Sequence, residues 1–404
     1  MGDILFLAHR MPFPPNRGDK IRSHHLLKAL ARLGPVHVGT FAETQEDRDH
    51  CAELSVIAAS SHVADRTKPL VLAGIQAVLS GKPVSLAAFH DRGLQSWVKQ
   101  TLAANAIDTI VIFSGQMGQY LPEGFDGRVV VDLCDVDSVK FEAYAEAGDM
   151  AWINAREGRL LAAEEERLAQ RADVTTLISE SEAALLRSRI SPQAEADIRV
   201  FGNGVDTKFF DPAIDLSPAP FAQTGPNFVF TGQMDYAPNV AAVERFAHGV
   251  LPSLVASHGA RFHVVGRAPT DDVRKLGELD NVTVWGGVPD MRPFLAAADA
   301  VVAPLSIARG VQNKVLEAMA MARPVVLSEE AATGIPATDG EHFLIARDDA
   351  AMVPKLQDLL EGHLDGRAIG AQARQFVASA MSWEAIYEQV AALVQPDRKN
   401  SRAA

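Results

Sequence analysis

The sequence predicts two α/β domains, each built on a doubly wound parallel sheet. The chain has 404 residues, 48% of them hydrophobic, which is enough for two cores at roughly 150 residues per domain. Short β-branched runs alternate with longer helical patterns along most of the chain, as in sheets covered by helices on both faces. Residues 201–220 are dense in turn formers and divide the chain near its middle.

Runs rich in β-branched or aromatic residues predict strands in both halves. In the N-terminal half they are residues 4–8, 36–41, 109–113, 129–133, 174–178 and 198–201. In the C-terminal half they are residues 228–231, 262–265, 282–285, 300–303, 324–327 and 343–345. Because helical patterns separate most consecutive strands, we expect each half to form one doubly wound sheet.

Two helical patterns stand out by their length. Residues 138–171 predict one long surface helix, with Glu164, Glu165 and Glu166 on its exposed side. Residues 371–394 predict an amphipathic helix near the end of the chain. The residues after Pro396 are expected to fray.

Charge and cysteine content exclude several classes of protein. A net charge of -13 lacks the broad positive field of a protein that binds nucleic acid. Cys51 and Cys134 are too few for a zinc cluster and are typical of a reducing cytoplasm. The N-terminus has no basic segment of a signal peptide, and no apolar run reaches the roughly 20 residues that span a bilayer. We expect a cytoplasmic protein, dissolved or peripheral on the inner face of the membrane.

Several catalytic signatures are missing from the sequence. The first strand leads into residues 9–18, which contain a single glycine, so a G-x-G-x-x-G dinucleotide site is disfavoured. Gln76 and Pro83 break the pattern of a phosphate-binding P-loop around Lys82. Neither the H-E-x-x-H of zinc proteases nor the G-x-S-x-G of serine hydrolases occurs.

The most informative segment is residues 299–326, where a strand, a loop with Gly310 and a helix follow one another. The helix opens near Val311, so its free N–H groups and positive end suit a diphosphate. Lys314 and Glu317 lie on one face of that helix. The lysine is suited to neutralise phosphate charge and the glutamate to accept hydrogen bonds from ribose hydroxyls. A plain surface ion pair between these two residues is the alternative.

Asp135 and Asp137 follow a predicted strand and are open to three interpretations. In the first, Asp137 or Ser138 caps the following helix. In the second, the carboxylates belong to a ligand site. In the third, they hold a divalent ion on a diphosphate.

Blocks along essentially the whole chain resemble one enzyme family. They are Asn203-Gly204-Val205-Asp206, residues 230–239, Val264-Val265-Gly266-Arg267, Trp285-Gly286-Gly287-Val288 and residues 317–326. In this order they are similar to the group 1, family-four retaining glycosyltransferases. The resemblance implies the GT-B fold, in which two doubly wound Rossmann-like domains face an interdomain cleft. Residues 9–22 and 131–138 are similar to the sugar transferases associated with exosortase/PEP-CTERM exopolysaccharide loci.

The resemblance also implies a division of labour along the chain. Residues 1–204 would form the acceptor-side domain, and residues 205–375 the domain that binds the nucleotide sugar. Residues 376–404 would carry a helix that crosses back to the N-terminal domain, followed by the frayed tail.

By this resemblance, the donor site lies on the C-terminal domain. Glu317 would hold the ribose, and the backbone near Val288 the base. Gly18 would let the N-terminal loop approach the donor closely, unless it is a plain turn glycine. The remaining donor-side candidates are Arg309, Gly310, Val311, Asn313, Lys314, Gly232 and Arg267.

On the acceptor side, basic residues gather at the first loop and helix. They would orient an acceptor phosphate, or else merely cap and solvate this element. Asp135 and Asp137 would contact the acceptor hydroxyl or the sugar. The basic residues are His9, Arg10, Lys20 and Arg22.

Two departures from the family pattern concern charge. Arg309 stands where the family has the first glutamate of its signature pair. The loop at Gly232 lacks the Arg and Lys that family members often carry there. We expect Arg309, Lys314 and Arg267 to supply this charge.

The implied reaction moves a sugar from a nucleotide sugar to a glycan or lipid-linked acceptor with retention, as a step of exopolysaccharide biosynthesis. Lys314, Arg309 and Asp135 are the implied catalytic residues. Neither a cofactor nor a metal is expected, and the contact with a membrane would be peripheral. The alternatives are a nucleotide-sugar epimerase-type enzyme and a non-catalytic nucleotide-binding partner of a polysaccharide assembly complex.

Overall fold

The computed structural model describes residues 2–148, 150–218, 221, 225–308 and 310–395. The chain forms two compact units. Unit 1 contains the chain up to Phe201 and again from Tyr387, and unit 2 contains Gly202–Ile386. Arg309 and the predicted frayed tail after Pro396 lie outside the described residues.

Unit 1 is built on a seven-stranded sheet in which every pairing is parallel. The order of strands across the sheet is β3-β2-β1-β4-β5-β6-β7. The strands are β1 (Asp3–Ala8), β2 (Val36–Ala42), β3 (Ser60–Asp65), β4 (Ile107–Phe113), β5 (Arg128–Cys134), β6 (Val174–Leu177) and β7 (Ile198–Val200). The six strands predicted here are confirmed, with ends that differ by at most two residues. Their central residues are buried because helices cover both faces.

Strand β3 is the one that the sequence pattern missed. It lies at the edge of the sheet, and only Ala64 among its residues is buried. An edge strand with serine and histidine side chains lacks the apolar run that marks a central strand.

Nine helices of unit 1 connect or flank these strands within the described residues. They are α1 (Gly18–Ala31), α2 (Gln45–Asp49), α3 (Cys51–Ile57), α4 (Leu70–Ser80), α5 (Val84–Ala88), α6 (Arg92–Ala104), α7 (Asp137–Glu146), α8 (Ala151–Arg171) and α9 (Glu180–Arg189).

The prediction of one helix over residues 138–171 is wrong, because α7 and α8 are separate. Gly148 and Met150 have φ angles of 83° and 37°, and such left-handed residues end a helix. The two helices pack closely at Gly158, where an added Cβ would lie 3.1 Å from the Ser138 carbonyl oxygen. The acidic run is also corrected, since Glu165 is buried. It accepts hydrogen bonds from the Ser138 amide and hydroxyl at 2.9 and 2.6 Å.

Unit 2 is built on a six-stranded parallel sheet with the order β10-β9-β8-β11-β12-β13. The strands are β8 (Asn227–Thr231), β9 (Arg261–Val265), β10 (Val282–Gly286), β11 (Ala300–Ala303), β12 (Val325–Leu327) and β13 (Leu344–Ile345). All six predicted strands of this half are confirmed to within one residue at each end. Phe228, Phe230 and Phe262 from β8 and β9 are fully buried in the core of this unit.

The helices of unit 2 follow the same alternating pattern. They are α10 (Ala237–Arg245), α11 (Leu251–His258), α12 (Asp271–Lys275), α13 (Arg292–Ala296), α14 (Asn313–Ala320), α15 (Glu329–Ala332), α16 (Asp349–Leu360) and α17 (Gly366–Ala380). The last helix, α18 (Trp383–Val394), begins in unit 2 and belongs to unit 1 from Tyr387. Among the helices that the structure describes, none has the length and apolar character needed to cross a membrane.

Candidate functional site

The loops that follow β8, β9 and β10 are tied together by backbone hydrogen bonds. The Gly232 amide donates to the Val265 carbonyl at 3.1 Å, and the Gly266 amide donates to the Gly286 carbonyl at 2.9 Å. A Cβ added at Gly266 would lie 1.6 Å from the Gly232 carbonyl oxygen. Only glycine permits this approach, so the carboxyl ends of β8, β9 and β10 form a closely packed backbone platform.

Helix α14 follows β11. Because β11 neighbours β8 in the sheet, the start of α14 lies next to this platform. Gly310 has a φ of 65° and lies just before the helix. No side chain caps the first turn, and the first N–H groups of any α-helix have no partner within the helix. The positive end of α14 is therefore available to an anion.

Lys314 extends from the first turn of α14 to the end of β8. Its Nζ lies 2.5 Å from Asn239 Oδ1 and 4.2 Å from the ring centre of Phe230. A Cβ added at Gly232 would lie 3.2 Å from the same Nζ. Burial lowers the pKa of Lys314 to about 7, although Glu317 opposes this shift. An anion brought next to Nζ would stabilise the charged form.

Glu317 lies one turn along α14 from Lys314 and is half-buried. Burial raises its pKa to about 7, and Lys314 opposes the shift. Its carboxylate makes no hydrogen bond or ion pair with any residue that the structure describes. The predicted alternative, a plain ion pair between Lys314 and Glu317, is wrong, since no contact within 4.0 Å joins them and the ammonium is bonded to Asn239.

Two further polar atoms near Lys314 are buried without a partner among the described residues. They are Asn313 Oδ1, at the start of α14, and Thr231 Oγ1, at the end of β8. Buried polar atoms are paired in most native structures. A polar ligand bound at the carboxyl end of β8 and the start of α14 would supply hydrogen-bond partners for these two atoms.

The structure also adds residues that sequence reasoning did not assign to the site. Asn239 is buried and bridges two elements, because it also donates to the Gln233 carbonyl at 2.8 Å. The second added residue is Thr231, whose Oγ1 is buried without a partner among the described residues. The signal for both was their place in the block of residues 230–239, which begins at the end of a predicted strand and continues into the following loop.

The other donor-side candidates lie on neighbouring loops of unit 2. Gly310 and Val311 are buried, and Val288 is half-buried in the loop after β10. Arg267 is exposed after β9, and its carbonyl accepts from the Met234 amide at 2.9 Å. The roles assigned to these residues and to Arg309 stay predictions.

In unit 1, His9 and Arg10 follow β1 directly. The His9 ring stacks on Phe113 with a centroid distance of 5.5 Å, and burial lowers the pKa of His9. Its Nδ1 is buried without a partner among the described residues. Arg10 pairs with Asp19 at 2.7 Å and with Glu43 at 2.9 Å.

Lys20 and Arg22 on α1 are buried in ion pairs. Lys20 pairs with Asp47. Arg22 donates to both carboxylate oxygens of Asp132 at 2.7 and 3.0 Å, and to the Phe201 carbonyl at 2.6 Å. These contacts give both cations a structural role, and their direct contact with an acceptor stays a prediction. Gly18 begins α1 with open space around it.

Asp135 and Asp137 follow β5, and the capping interpretation is wrong. The residue before α7 is Val136, no side chain caps this helix, and Ser138 is instead bonded to Glu165. Asp137 accepts from Gln116 Nε2 at 3.2 Å. Partial desolvation and the nearby carboxylates of Glu182 and Asp137 raise the pKa of Asp135 to about 6. Across the described residues, no group of three or more His, Cys, Asp or Glu side chains is placed to hold a metal ion.

Part of unit 2 matches a known family model, and nearly the whole chain is similar to several solved structures. Residues 225–362 match the family model described as glycosyl transferases group 1, and a search of curated proteins found no match. Sucrose-phosphate synthase from Thermosynechococcus elongatus is 19% identical over 97% of this chain and 98% of its own, with a TM-score of 0.66. HepE of Anabaena, solved with UDP and glucose, is 16% identical over 97% and 99%, with a TM-score of 0.66.

A third solved structure is similar over the same length. WaaG, a glycosyltransferase involved in lipopolysaccharide biosynthesis, is 17% identical over 97% of this chain and 100% of its own, with a TM-score of 0.63. The chain therefore has the GT-B fold, and the match of residues 225–362 supports a group 1 glycosyltransferase.

Proposed function

We propose that the protein transfers a sugar from a nucleotide-sugar donor to a glycan or lipid-linked acceptor with retention, as a step of exopolysaccharide biosynthesis. One observation carries the proposal. Lys314 is held on Asn239 within the segment that matches the glycosyltransferase model, and the nearby Glu317 carboxylate has no hydrogen-bond partner among the described residues. The similarity of residues 317–326 to the retaining family and the HepE complexes with UDP and UDP-glucose support it.

In this proposal the donor diphosphate lies at the amino end of α14. Lys314 and the free N–H groups neutralise its charge. Glu317 accepts hydrogen bonds from the ribose hydroxyls, and the backbone near Val288 contacts the base. Asn313 Oδ1 and Thr231 Oγ1, both buried without a partner in the described chain, then acquire hydrogen-bond partners in the donor.

The transfer breaks one bond and forms another at the same carbon. The bond from the anomeric carbon to the diphosphate oxygen breaks, and the acceptor oxygen bonds to that carbon on the same face. The acceptor proton passes to the departing diphosphate. The protein stabilises the charge that develops on the leaving group, and Lys314 with the end of α14 is placed to do so.

The same groups account for the proposed independence from metal. A cationic side chain and a helix amino terminus both stabilise a diphosphate leaving group. Arg309 and Arg267 are proposed to add to this charge. Asp135, whose pKa is raised to about 6, is proposed to contact the acceptor hydroxyl or the sugar from unit 1.

Calorimetric titration with UDP, GDP, ADP and their sugar conjugates tests the donor site. We expect one nucleotide to bind equally well with magnesium and with a chelator. Glu317→Ala should weaken that binding about tenfold, because one hydrogen-bonding carboxylate is lost.

The matched control is Glu330→Ala, at an exposed glutamate of α15, which should leave the affinity unchanged. No binding by any nucleotide would contradict the proposed donor site. Binding without turnover on any acceptor would favour the non-catalytic alternative.

A further inference from the structure

Helix α4 of unit 1 presents an unusual face to solvent. Its large apolar side chains are between 55% and 84% exposed. They are Leu70, Val71, Leu72, Ile75, Val78 and Leu79. Scattered apolar residues are normal on a protein surface, but a contiguous cluster marks an interaction site.

The orientation of α4 is the reverse of that of an ordinary surface helix. Ala73 and Ala77, spaced by one turn, are its fully buried residues, while the larger aliphatic residues point outward. A rotation of α4 about its own axis would bury the larger side chains and therefore more apolar area. A helix that packs only for stability adopts that orientation. No charged residue occurs from Pro69 to Gly81, so no charge on this helix opposes contact with an apolar partner.

The beginning of α8 extends this surface with an aromatic ring. Arg156 donates to the carbonyls of Ala77 and Lys82 at 3.1 and 3.3 Å, so α8 starts beside the end of α4. Trp152 is one turn before Arg156 on the same side of α8, and it is 72% exposed. We call the six apolar residues of α4 together with Trp152 the α4 surface.

Lys82, two residues after α4, and Arg156, bonded to the Ala77 carbonyl, border the α4 surface, and Arg159 lies nearly one turn further along α8. Within the described chain, none of Lys82, Arg156 and Arg159 forms an ion pair with an acidic side chain. Lys82 and Arg159 are exposed. Aliphatic residues at the centre, a tryptophan at the edge and cations around it match the interface of an anionic bilayer.

We propose that the α4 surface docks the protein on an anionic lipid bilayer. With 11 residues, α4 is too short to span the membrane and would lie in the plane of the interface. In a symmetric dimer through this surface the same cations would face one another, whereas the anionic headgroups of a bilayer would neutralise them. The basic residues of the first loop and helix are less suited to bind the membrane, because Lys20 and Arg22 are already paired with Asp47 and Asp132.

Co-sedimentation of the full chain with vesicles tests the proposal and needs no enzymatic turnover. We expect binding to vesicles of phosphatidylcholine with 30–40% phosphatidylglycerol, about tenfold stronger than to phosphatidylcholine alone. Substituting Val71→Glu, Ile75→Glu and Leu79→Glu together should reduce binding at least about tenfold, because carboxylates enter the interface poorly and repel anionic lipid. Donor binding should stay at the wild-type level, which separates this test from that of the donor site.

The matched control is Val56→Glu, at a position 85% exposed at the end of α3. It precedes β3, whereas α4 follows β3, and it should bind vesicles like the wild type. A second readout is the fluorescence of Trp152, which should be quenched by lipids brominated in the acyl chain and should lose that quenching in Trp152→Phe.

Three outcomes would overturn the proposal. They are no binding to anionic vesicles, unchanged binding by the triple variant, and a dimer in sedimentation equilibrium that the triple variant abolishes. The last outcome would assign the α4 surface to a second copy of the chain.

Discussion

The cations Arg22, on α1 in unit 1, and Lys314, on α14 in unit 2, differ in how fully they are paired. Arg22 is bonded to both oxygens of Asp132 and to a carbonyl. Lys314 reaches a single acceptor of the described chain, Asn239, beside atoms that have none. A cation whose donors are all satisfied stabilises the fold, whereas one with free donors and a lowered pKa is ready for a ligand.

The largest expected effect is on stability and comes from Arg22. Arg22→Met leaves Asp132 buried without a counter-charge, so the free energy of unfolding should fall by about 3 to 5 kcal/mol. Urea unfolding of unit 1 measures this loss. Arg199→Met, which breaks an exposed pair with Asp197, should cost about 0 to 1 kcal/mol. An equal loss of free energy of unfolding in both variants would show that burial does not increase the contribution of the Arg22–Asp132 pair to stability.

The opposite pattern is expected for Lys314. Lys314→Met should weaken the binding of the nucleotide sugar by about 2 to 3 kcal/mol, or about 30- to 150-fold. Its unfolding midpoint should stay equal or rise, because burial of the ammonium is unfavourable in the empty site. Lys275→Met, at an exposed lysine of α12, serves as the control. A folded Lys314→Met variant with wild-type affinity would contradict the proposed donor site.

The buried carboxylate of Glu165 provides a further test of how its surroundings decide the role of a buried ionisable group. Burial raises the pKa of Glu165 to about 7 from 4.5, so its folded form prefers the proton. The contribution of Glu165 to stability is therefore highest below pH 4.5 and is lost as the pH rises to about 7. Glu165→Gln keeps hydrogen bonding to Ser138 without the charge and should raise the free energy of unfolding by about 1 to 3 kcal/mol at pH 8.

Chemical denaturation of both forms at pH 4.5 and pH 8 checks this effect. The difference between variant and wild type should be small at the lower pH. Glu166→Gln on the same helix is the control, since Glu166 is only partly buried. A difference independent of pH would mean that Glu165 is not protonated in the fold.

The smallest expected effect is a pH dependence of donor binding. With its pKa lowered to about 7, Lys314 is charged in the empty site below that pH and neutral above it. Affinity for the nucleotide sugar should fall by up to about tenfold from pH 6 to pH 8. In Lys314→Arg the slope should become smaller, because arginine stays charged and only Glu317 still titrates in this range. In Glu317→Gln its midpoint should move to lower pH, because the carboxylate that raises the pKa of Lys314 is lost.

Local patterns carried much of the fold from sequence alone. The buried strands were recognisable because a central parallel strand is a continuous apolar run. The edge strand β3 and the break at Gly148 were missed, because one lacks such a run and the other interrupts a helical pattern at a single glycine. Lys314 and Glu317 were placed on one helix face because three residues correspond to nearly one turn.

What the sequence by itself determined is therefore the alternation of strands and helices along most of the chain, the two sheets and the helix that carries Lys314 and Glu317. Only the tertiary structure decided that Lys314 meets Asn239, that Arg22 is neutralised by Asp132 and that Glu165 lies inward. These partners are 75, 110 and 27 residues apart in sequence. Local periodicity reports which side of an element is apolar, but a charge's partner, and with it the charge's role, depends on how distant elements pack.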